Sequence, residues 1–358
     1  MRRSLCRGLL CSALLAPLLA CGPPAAPARA PQPTPAVAAS PPRPTPAPVS
    51  LTVGRAAVRV TVAPFWLARE LGFFAKQGLV VEDTVLRTAA AVEAALLANE
   101  IQFGLTGLAA VLTARAGGSD SILTASYLDV ALGEFVVRPE IRQPADLRGR
   151  IMGVQSIGGT IHIRGLLALR KLGLDVERDN IQVLVVGDDP TLAQSLIAGA
   201  IDAAPVSYTS ARIARANGMQ GWDLGELGVP ESSVSVITTQ AFARERPEIV
   251  ERFLKGLAEG VHYLKQGRTD PAKRERALQI VAANLKVAPE DVAFELDKVA
   301  ELARVNLQPD LAALAEFRTM VVQQTPTVER IALDDVIDLR FLQQLEREGY
   351  FATLQPAP

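Results

Sequence analysis

The chain has 358 residues, of which 49% are hydrophobic and 21% are charged, and its formal net charge at pH 7 is −1. That length is enough for two ordinary domains, and a balanced charge without a basic run argues against nucleic acid as a partner. There are two histidines, and all three cysteines lie within the first 21 residues, so we expect no cofactor, no metal and no cysteine nucleophile in the rest of the chain.

The N-terminus has the pattern of a secretion signal. Three arginines in the first seven residues precede an apolar stretch, residues 8–20, that is too short to span a bilayer. Residues 18–21, Leu-Leu-Ala-Cys, resemble a bacterial lipobox, which predicts cleavage before Cys21 and a lipid on its thiol. A plain signal peptide is the alternative, but it would leave a lone thiol in an oxidising compartment. We predict a signal peptide over residues 1–20 and an extracytoplasmic protein anchored to the membrane through Cys21.

A proline-rich segment, residues 21–50, follows this signal. Residues 22–49 contain eleven prolines and eight alanines, a composition that cannot bury a core and favours polyproline II. At about 3.1 Å per residue the segment could reach roughly 90 Å. Featureless disorder is the alternative, but behind a lipidated cysteine we interpret the segment as a tether.

The folded part is predicted to begin near residue 51, and its most informative stretch is residues 63–82. Pro64 suits the first position of a helix, where its missing N–H costs nothing, and apolar residues recur at helical spacing after it. Gly72 and Gly78 favour turns, and residues 79–81 form a short apolar run typical of a strand. The stretch therefore predicts a helix, a tight turn and a strand.

Strands and helices alternate along the chain. Strands are predicted at residues 51–53, 58–60, 79–81, 101–105, 122–127, 150–154, 181–186 and 201–204, and helices at 89–98, 108–116, 158–172, 189–198 and 208–216. This alternation indicates an α/β protein with parallel, doubly wound sheets, and a weak repeat between residues 95–104 and 195–204 indicates two similar lobes. Beyond residue 240 the pattern is helical, and we expect these helices to pack on the first lobe, with starts at Pro247, Asp270, Pro289, Pro309 and Asp334.

Residues 68–82, Ala-Arg-Glu-Leu-Gly-Phe-Phe-Ala-Lys-Gln-Gly-Leu-Val-Val-Glu, resemble the opening signature of one family. That family is the extracytoplasmic solute-binding proteins of ABC importers, in the nitrate, sulfonate, taurine and thiamine-precursor branch. Residues 97–104, 144–154 and 196–203 carry further resemblance, which extends from residue 51 to about residue 265. One departure is Gln102, where the family usually has Asp.

The resemblance implies a periplasmic-binding-protein-like fold of two doubly wound α/β lobes joined by a two-strand hinge, with extra C-terminal helices. Lobe 1 would comprise residues 51–138 and 235–350, and lobe 2 would comprise residues 139–234. The chain would cross between the lobes at residues 135–137 and 233–238.

Ligands of open α/β sheets bind beyond the carboxyl ends of the strands, and the residues at those ends are the predicted ligand-binding site. They are Phe65, Trp66, Thr88, Thr106, Gly107, Tyr127, Ser156, Gly158, Gly159, Thr160, Asp188 and Tyr208. Residues 158–160 would receive an anionic or strongly accepting group at a helix N-terminus. An apolar or aromatic body would lie against Phe65 and Trp66, although Trp66 could equally belong to the core. The nearest basic side chains are Arg87 and Arg164.

Two features of the sequence bear on whether the protein is an enzyme: an elbow-like motif around Ser156 and the two histidines. Residues 154–158, Val-Gln-Ser-Ile-Gly, resemble a nucleophile elbow around Ser156 except at the first position. A triad would then need His262, which we place in a surface helix with a structural role. His162 lies one turn into a helix and is either a ligand contact or an exposed histidine.

The resemblance implies a function without enzymatic activity. The protein would capture a small organic solute, anionic such as a sulfonate or carboxylate, or pyrimidine-like, and deliver it to a separate ABC permease and ATPase. We expect a monomer. The alternatives are an enzyme on the same scaffold, similar to a thiamine-pyrimidine synthase or a menaquinone-pathway enzyme, and a ligand sensor for a signalling partner. The cysteine-rich iron motif of the synthase is missing.

Overall fold

The computed structural model describes residues 48–56, 58–86, 88–232 and 234–354. The predicted signal peptide, Cys21 and most of the tether lie outside these residues, as does Arg87. The strands of the described part are β1 Val49–Arg55, β2 Leu79–Val85, β3 Phe103–Thr106, β4 Ser121–Ser126, β5 Glu134–Val137, β6 Ile151–Val154, β7 Gln182–Val185, β8 Ala203–Val206, β9 Gln220–Asp223 and β10 Ser235–Thr239.

Helices surround these strands and make up most of the C-terminal part. They are α1 Ala63–Glu70, α2 Phe73–Lys76, α3 Ala89–Leu97, α4 Leu108–Ala116, α5 Thr160–Lys171, α6 Asp189–Ile197, α7 Tyr208–Ala216, α8 Gln240–Glu245, α9 Pro247–Gln266, α10 Pro271–Leu285, α11 Pro289–Leu302, α12 Leu311–Gln324, α13 Arg340–Arg347 and α14 Tyr350–Thr353. Among the described residues, no helix is both long and apolar enough to cross a bilayer.

The strands form two five-stranded sheets with the same topology. The first has the order β2-β1-β3-β10-β4 and the second the order β7-β6-β8-β5-β9. In the first, β1 is parallel to β2 and β3, whereas β10 is antiparallel to β3 and β4. In the second, β6 is parallel to β7 and β8, whereas β5 is antiparallel to β8 and β9. The two doubly wound lobes predicted from the sequence are therefore confirmed.

The antiparallel strand of each sheet arrives from the other sheet. The two crossing segments, residues 127–133 and 224–232, run antiparallel and pair through Val130 and Pro230. The N–H of Ala131 donates to the carbonyl of Val229 at 2.9 Å. Because both connections lie side by side, they form the two-strand hinge expected of this fold. The predicted positions of the crossings are wrong, since residues 135–137 lie within β5 of the second sheet and residues 235–238 lie within β10 of the first.

The predicted opening unit is confirmed in α1, α2 and β2. Pro64 lies in the first turn of α1, and Gly72 has the left-handed φ of 76° that separates α1 from α2. The predicted strand at residues 58–60 is wrong, since Val60–Val62 form a 3₁₀ turn that leads directly into α1. The helix predicted at Asp334 is a 3₁₀ turn, Leu333–Asp335.

Helix α9 packs closely on α1 and completes the core of the first lobe. Its Phe253 ring stacks between Phe74 and Phe103, with ring centroids 4.9 and 4.1 Å away. A Cβ atom at Gly260 would lie 2.2 Å from the carbonyl oxygen of Pro64. The close approach of these two helices therefore requires glycine at this position.

Helix α12 packs on both lobes, which corrects the expectation that the C-terminal helices belong to the first. Its apolar residues Leu314, Phe317, Met320 and Val321 share one buried cluster with residues of both lobes. It contacts α4 of the first lobe and α5 of the second. Any movement between the lobes must therefore be accommodated at this helix.

Candidate ligand-binding site

The predicted polar residues lie where strands lead into helices. Thr88, Gly107, Gly159 and Asp188 directly precede α3, α4, α5 and α6, and Tyr208 is the first residue of α7. Strand order reverses between β1 and β3 in one sheet and between β6 and β8 in the other. The crevices outside these strand pairs are where open α/β sheets bind ligands.

The first turn of α5 offers free hydrogen-bond donors. Gly159 precedes the helix and provides no side-chain cap. The N–H groups of Thr160, Ile161 and His162 have no protein acceptor among the residues that the structure describes. Ser156, Gly158 and Thr160 are exposed. This turn can therefore accept an anionic or hydrogen-bond-accepting group.

His162 has a different role from both roles considered for it. It is 5% exposed, and its Nδ1 atom accepts a hydrogen bond from the N–H of Gly158 at 2.9 Å. Burial lowers the pKa of His162 below its ordinary value. The neutral imidazole therefore holds the loop before α5 in place, and it uses the Gly158 N–H, which is one of the donors predicted for the ligand.

Two of the predicted side chains act as helix caps. The hydroxyl of Thr88 accepts from the N–H of Ala91 at 3.1 Å. Asp188 Oδ1 accepts from the hydroxyl of Thr191 and from its N–H at 3.2 Å, and these bonds lower the pKa of Asp188. Both side chains are exposed, but their local geometry is explained by capping alone.

The aromatic residues expected to line the cleft lie in the core instead. Phe65, Trp66 and Tyr127 are each 0% exposed. The Tyr127 hydroxyl donates to the carbonyl of Thr61 at 2.8 Å. Helices α9 and α10 cover α1 from outside, so aromatic side chains at the start of α1 are enclosed. The expectation that these three rings contact a ligand is wrong for this conformation.

The two remaining predicted residues, Thr106 and Gly107, lie where β3 ends and α4 starts. Thr106 is 4% exposed, and Gly107 is partly buried. The N–H of Leu108, in the first turn of α4, donates to Ser232 Oγ at 3.1 Å. One N–H donor at the start of α4 is therefore already used by the second crossing segment, so the start of α5 is the more open of the two.

A buried ion pair connects α5 to the hinge. Arg164 Nε and Nη2 donate to the two carboxylate oxygens of Glu231 at 2.7 and 2.9 Å. Burial alone would lower the pKa of Arg164, but the charge and hydrogen bonds of Glu231 outweigh it and raise the pKa. Arg164 is therefore engaged by Glu231 of the second crossing segment.

Asp189 organises the polar edge of the second lobe. Its carboxylate accepts from the N–H and the hydroxyl of Ser207, both at 2.7 Å, and from the hydroxyl of Ser210. These bonds tie the start of α6 to the start of α7. The sequence placed Asp188 in the site, but its neighbour holds the two helix starts together.

Helix α11 of the first lobe meets α7 of the second. The rings of Phe294 and Tyr208 make an edge-to-face contact with centroids 4.9 Å apart. The Tyr208 hydroxyl donates to Asp223 Oδ2 at 2.8 Å, and burial followed by the Asp223 carboxylate raises the pKa of Tyr208. Next to Phe294, the Glu295 carboxylate lies close enough to Arg59, Arg164 and Asp189 for their charges to shift its pKa.

Sequence reasoning missed Glu231, Asp189, Phe294 and Glu295 for different reasons. Glu231 lies 67 positions from its partner Arg164, and no local pattern joins the two. Phe294 and Glu295 lie in a C-terminal helix beyond the resemblance. An aspartate directly before Pro190 was a usable signal for Asp189. In the described part of the chain, no group of three His, Cys, Asp or Glu residues could hold a metal ion.

Two hinged α/β lobes with helix starts at the strand-order reversals define the fold of the periplasmic binding proteins. Residues 60–269 match the family model described as NMT1/THI5 like. The chain belongs to this family. No curated protein sequence matches it significantly.

Solved structures share the fold at low sequence identity. The periplasmic aliphatic sulphonate binding protein SsuA from Escherichia coli has a TM-score of 0.63 and 19% identity, over 82% of this chain and 92% of that chain. The nitrate-binding protein NrtA from Synechocystis PCC 6803 has a TM-score of 0.62 and 15% identity, over 87% and 91%. The desulfurization enzyme DSZB has a TM-score of 0.58 and 18% identity, over 84% and 99%. The fold therefore serves both binding proteins and an enzyme.

Proposed function

We propose that this protein is the extracytoplasmic solute-binding component of an ABC importer. Its two lobes close on one small organic solute, which it delivers to a separate permease and ATPase. It acts as a monomer in which the lobe that carries the first sheet moves against residues 134–223, which carry the second sheet. The observation that carries the proposal is the first turn of α5, whose N–H groups have no protein acceptor in the described part of the chain and which lies at a strand-order reversal beside a two-strand hinge.

The local chemistry favours binding over catalysis. His162 Nδ1 accepts from a backbone N–H, and His262 Nε2 lies 2.6 Å from Gln266 Nε2. In the described residues neither imidazole hydrogen-bonds to Ser156 or to a carboxylate, so the elbow-like sequence has no activating base. A nucleophilic hydrolase is therefore not the function that this site supports.

The solute has an anionic or hydrogen-bond-accepting end, such as a sulfonate, a carboxylate or a pyrimidine nitrogen. This end lies against the N–H groups of Thr160 and its neighbours, where the helix dipole also favours negative charge. The aromatic contact comes from Phe294 and Tyr208, since Phe65 and Trp66 are enclosed in the core.

Removal of one N–H donor tests this proposal. Proline at position 160, the first residue of α5, removes a donor while the helix is retained. The preceding Gly159 already has the extended conformation, φ −76° and ψ 168°, that a following proline requires. The matched control is Ala89→Pro at the start of α3, after an extended Thr88.

Thermal-shift screening would first identify a solute from nitrate, bicarbonate, alkyl and aryl sulfonates, aromatic carboxylates and pyrimidines. Thr160→Pro should then weaken its binding by about 1 kcal/mol or more, whereas Ala89→Pro should leave it unchanged. Equal affinities for wild type and Thr160→Pro would contradict the assignment of α5. Tight binding of nitrate or bicarbonate alone, with failure of every organic compound, would contradict the solute class.

The membrane anchor is part of the same proposal. We expect Cys21→Ala to release a folded protein from the membrane, because the first strand starts only at Val49. The measurement is fractionation of cells into soluble and membrane-pellet protein, with globomycin-sensitive processing of the wild type. A Cys21→Ala protein that still pellets with the membrane would contradict lipidation.

A further inference from the structure

A cavity of about 280 Å³ lies between α7 of the second lobe and α11 of the first. Its wall is mostly apolar and includes the Tyr208 and Phe294 rings. Phe294 is 58% exposed, whereas Tyr208 is 7% exposed. Tyr208 of the second lobe therefore provides a fixed aromatic surface, and Phe294 of the first lobe provides an accessible ring. A flat or apolar group could be enclosed between the two rings.

Most charged groups around this cavity already have partners. Arg215 pairs with Glu134 at 2.6 Å, and Arg212 lies 3.7 Å from Asp291. Glu290 is exposed at the rim. The charged group that remains inside the cavity wall is Glu295.

The Glu295 carboxylate makes no hydrogen bond and no ion pair with any other residue that the structure describes. Arg164 lies close enough to attract it, but the Arg164 guanidinium is held by Glu231. Burial raises the pKa of Glu295 above its ordinary value, and the charges of Arg59 and Arg164 only partly offset this effect. A partly buried carboxylate without a donor is unfavourable, and a positively charged or N–H-donating group in the cavity would relieve this cost.

The position of Glu295 links the cavity to the proposed solute site. The charges that act on it come from Arg59, which follows β1, from Arg164 on α5, and from Asp189 at the start of α6. These elements border the crevices of both lobes. The Glu295 carboxylate therefore lies within electrostatic reach of the crevices in which we place the solute.

We propose that Glu295 binds a nitrogen of the solute, either a protonated amine or the N–H of a nitrogen heterocycle, while Tyr208 and Phe294 contact its apolar part. This inference rests on the proposed function and narrows the solute class. The solute carries a nitrogen donor for Glu295 in addition to its accepting end.

Matched pairs of compounds test the nitrogen contact by isothermal titration calorimetry. The pairs are 2-aminoethanesulfonate with ethanesulfonate, 4-aminopyrimidine with pyrimidine, and benzylamine with benzyl alcohol. We expect the nitrogen member of at least one pair to bind the wild type at least about tenfold more tightly, since hydrogen bonds to charged groups are strong. Glu295→Gln should remove that preference.

Glu301→Gln is the matched control. It removes the same charge from the end of the same helix, at an exposed position outside the cavity, and should keep the preference. Phe294→Ala provides an independent variant at an exposed ring, and it should weaken the ring-containing probes more than 2-aminoethanesulfonate. This second variant keeps the proposal testable if Glu295→Gln fails to fold.

Two results would overturn the inference. One is the absence of any preference for the nitrogen member in the wild type, and the other is a preference that survives in Glu295→Gln. If the sulfonates or carboxylates of the wider screen still bind and depend on Thr160, the proposed solute-binding function stands and only the role of Glu295 fails. If no compound of either set binds, both fail.

Discussion

Replacement of Arg164 by methionine should strongly destabilise the protein. The guanidinium makes two hydrogen bonds to Glu231 at 2.7 and 2.9 Å, and the two side chains are 7% and 4% exposed. Methionine keeps much of the packing of the arginine stem. The Glu231 carboxylate, however, loses both guanidinium bonds while it stays removed from water. Removal of one partner of such a buried pair typically costs about 3–5 kcal/mol.

Lys171→Met on the same helix is the matched control. Lys171 Nζ lies 2.8 Å from the Glu316 carboxylate, but these side chains are 31% and 29% exposed. Pairs that water can reach contribute about 0–1 kcal/mol. The free energy of unfolding would be measured by urea denaturation for wild type and both variants. If Arg164→Met costs no more than Lys171→Met, burial of the pair does not determine its energetic role and the reasoning is refuted.

Two further changes test the packing of α9 and the loop before α5. Gly260→Ala should destabilise the protein by about 1–3 kcal/mol, because its new carbon would lie 2.2 Å from the carbonyl oxygen of Pro64. Gly165→Ala is the control and should cost less in the same urea experiment, because its new carbon meets only a flexible methionine side chain at close range. Burial lowers the pKa of His162 in the folded protein. As the pH drops below about 6.5, the unfolded chain therefore takes up a proton at His162 before the folded protein does, and the free energy of unfolding should fall. Thermal unfolding between pH 7.5 and 5 should show a shallower loss for His162→Gln than for wild type, and equal slopes for the two would refute this role.

The fold could be predicted where local patterns determine it. The helix, turn and strand of residues 63–82 depend on Pro64, Gly72 and an apolar repeat that act over a few positions, and all three elements are present. The alternation of strands and helices then limited the architecture to doubly wound lobes. Family resemblance added the hinge, which no periodicity in the chain indicates.

The site was predicted less well because it depends on contacts between distant elements. A pattern shows that Phe65 and Trp66 begin a helix, but it does not show that α9 and α10 cover that helix from outside. The partnership of Arg164 with Glu231 requires the second crossing segment to return beside α5. That Glu295 has no partner among the described residues becomes visible only once α11 is placed against the second lobe, since its local sequence resembles that of any helical glutamate.

Closure of the two lobes on a solute is the central claim, and small-angle X-ray scattering tests it most directly. The radius of gyration would be measured for the protein alone and at saturation with a solute identified in the screen. We predict a smaller radius for the complex, because residues 134–223, which carry the second sheet, move towards the rest of the chain about the paired crossing segments. An unchanged radius at saturation would show a rigid cleft and would contradict the proposed mechanism.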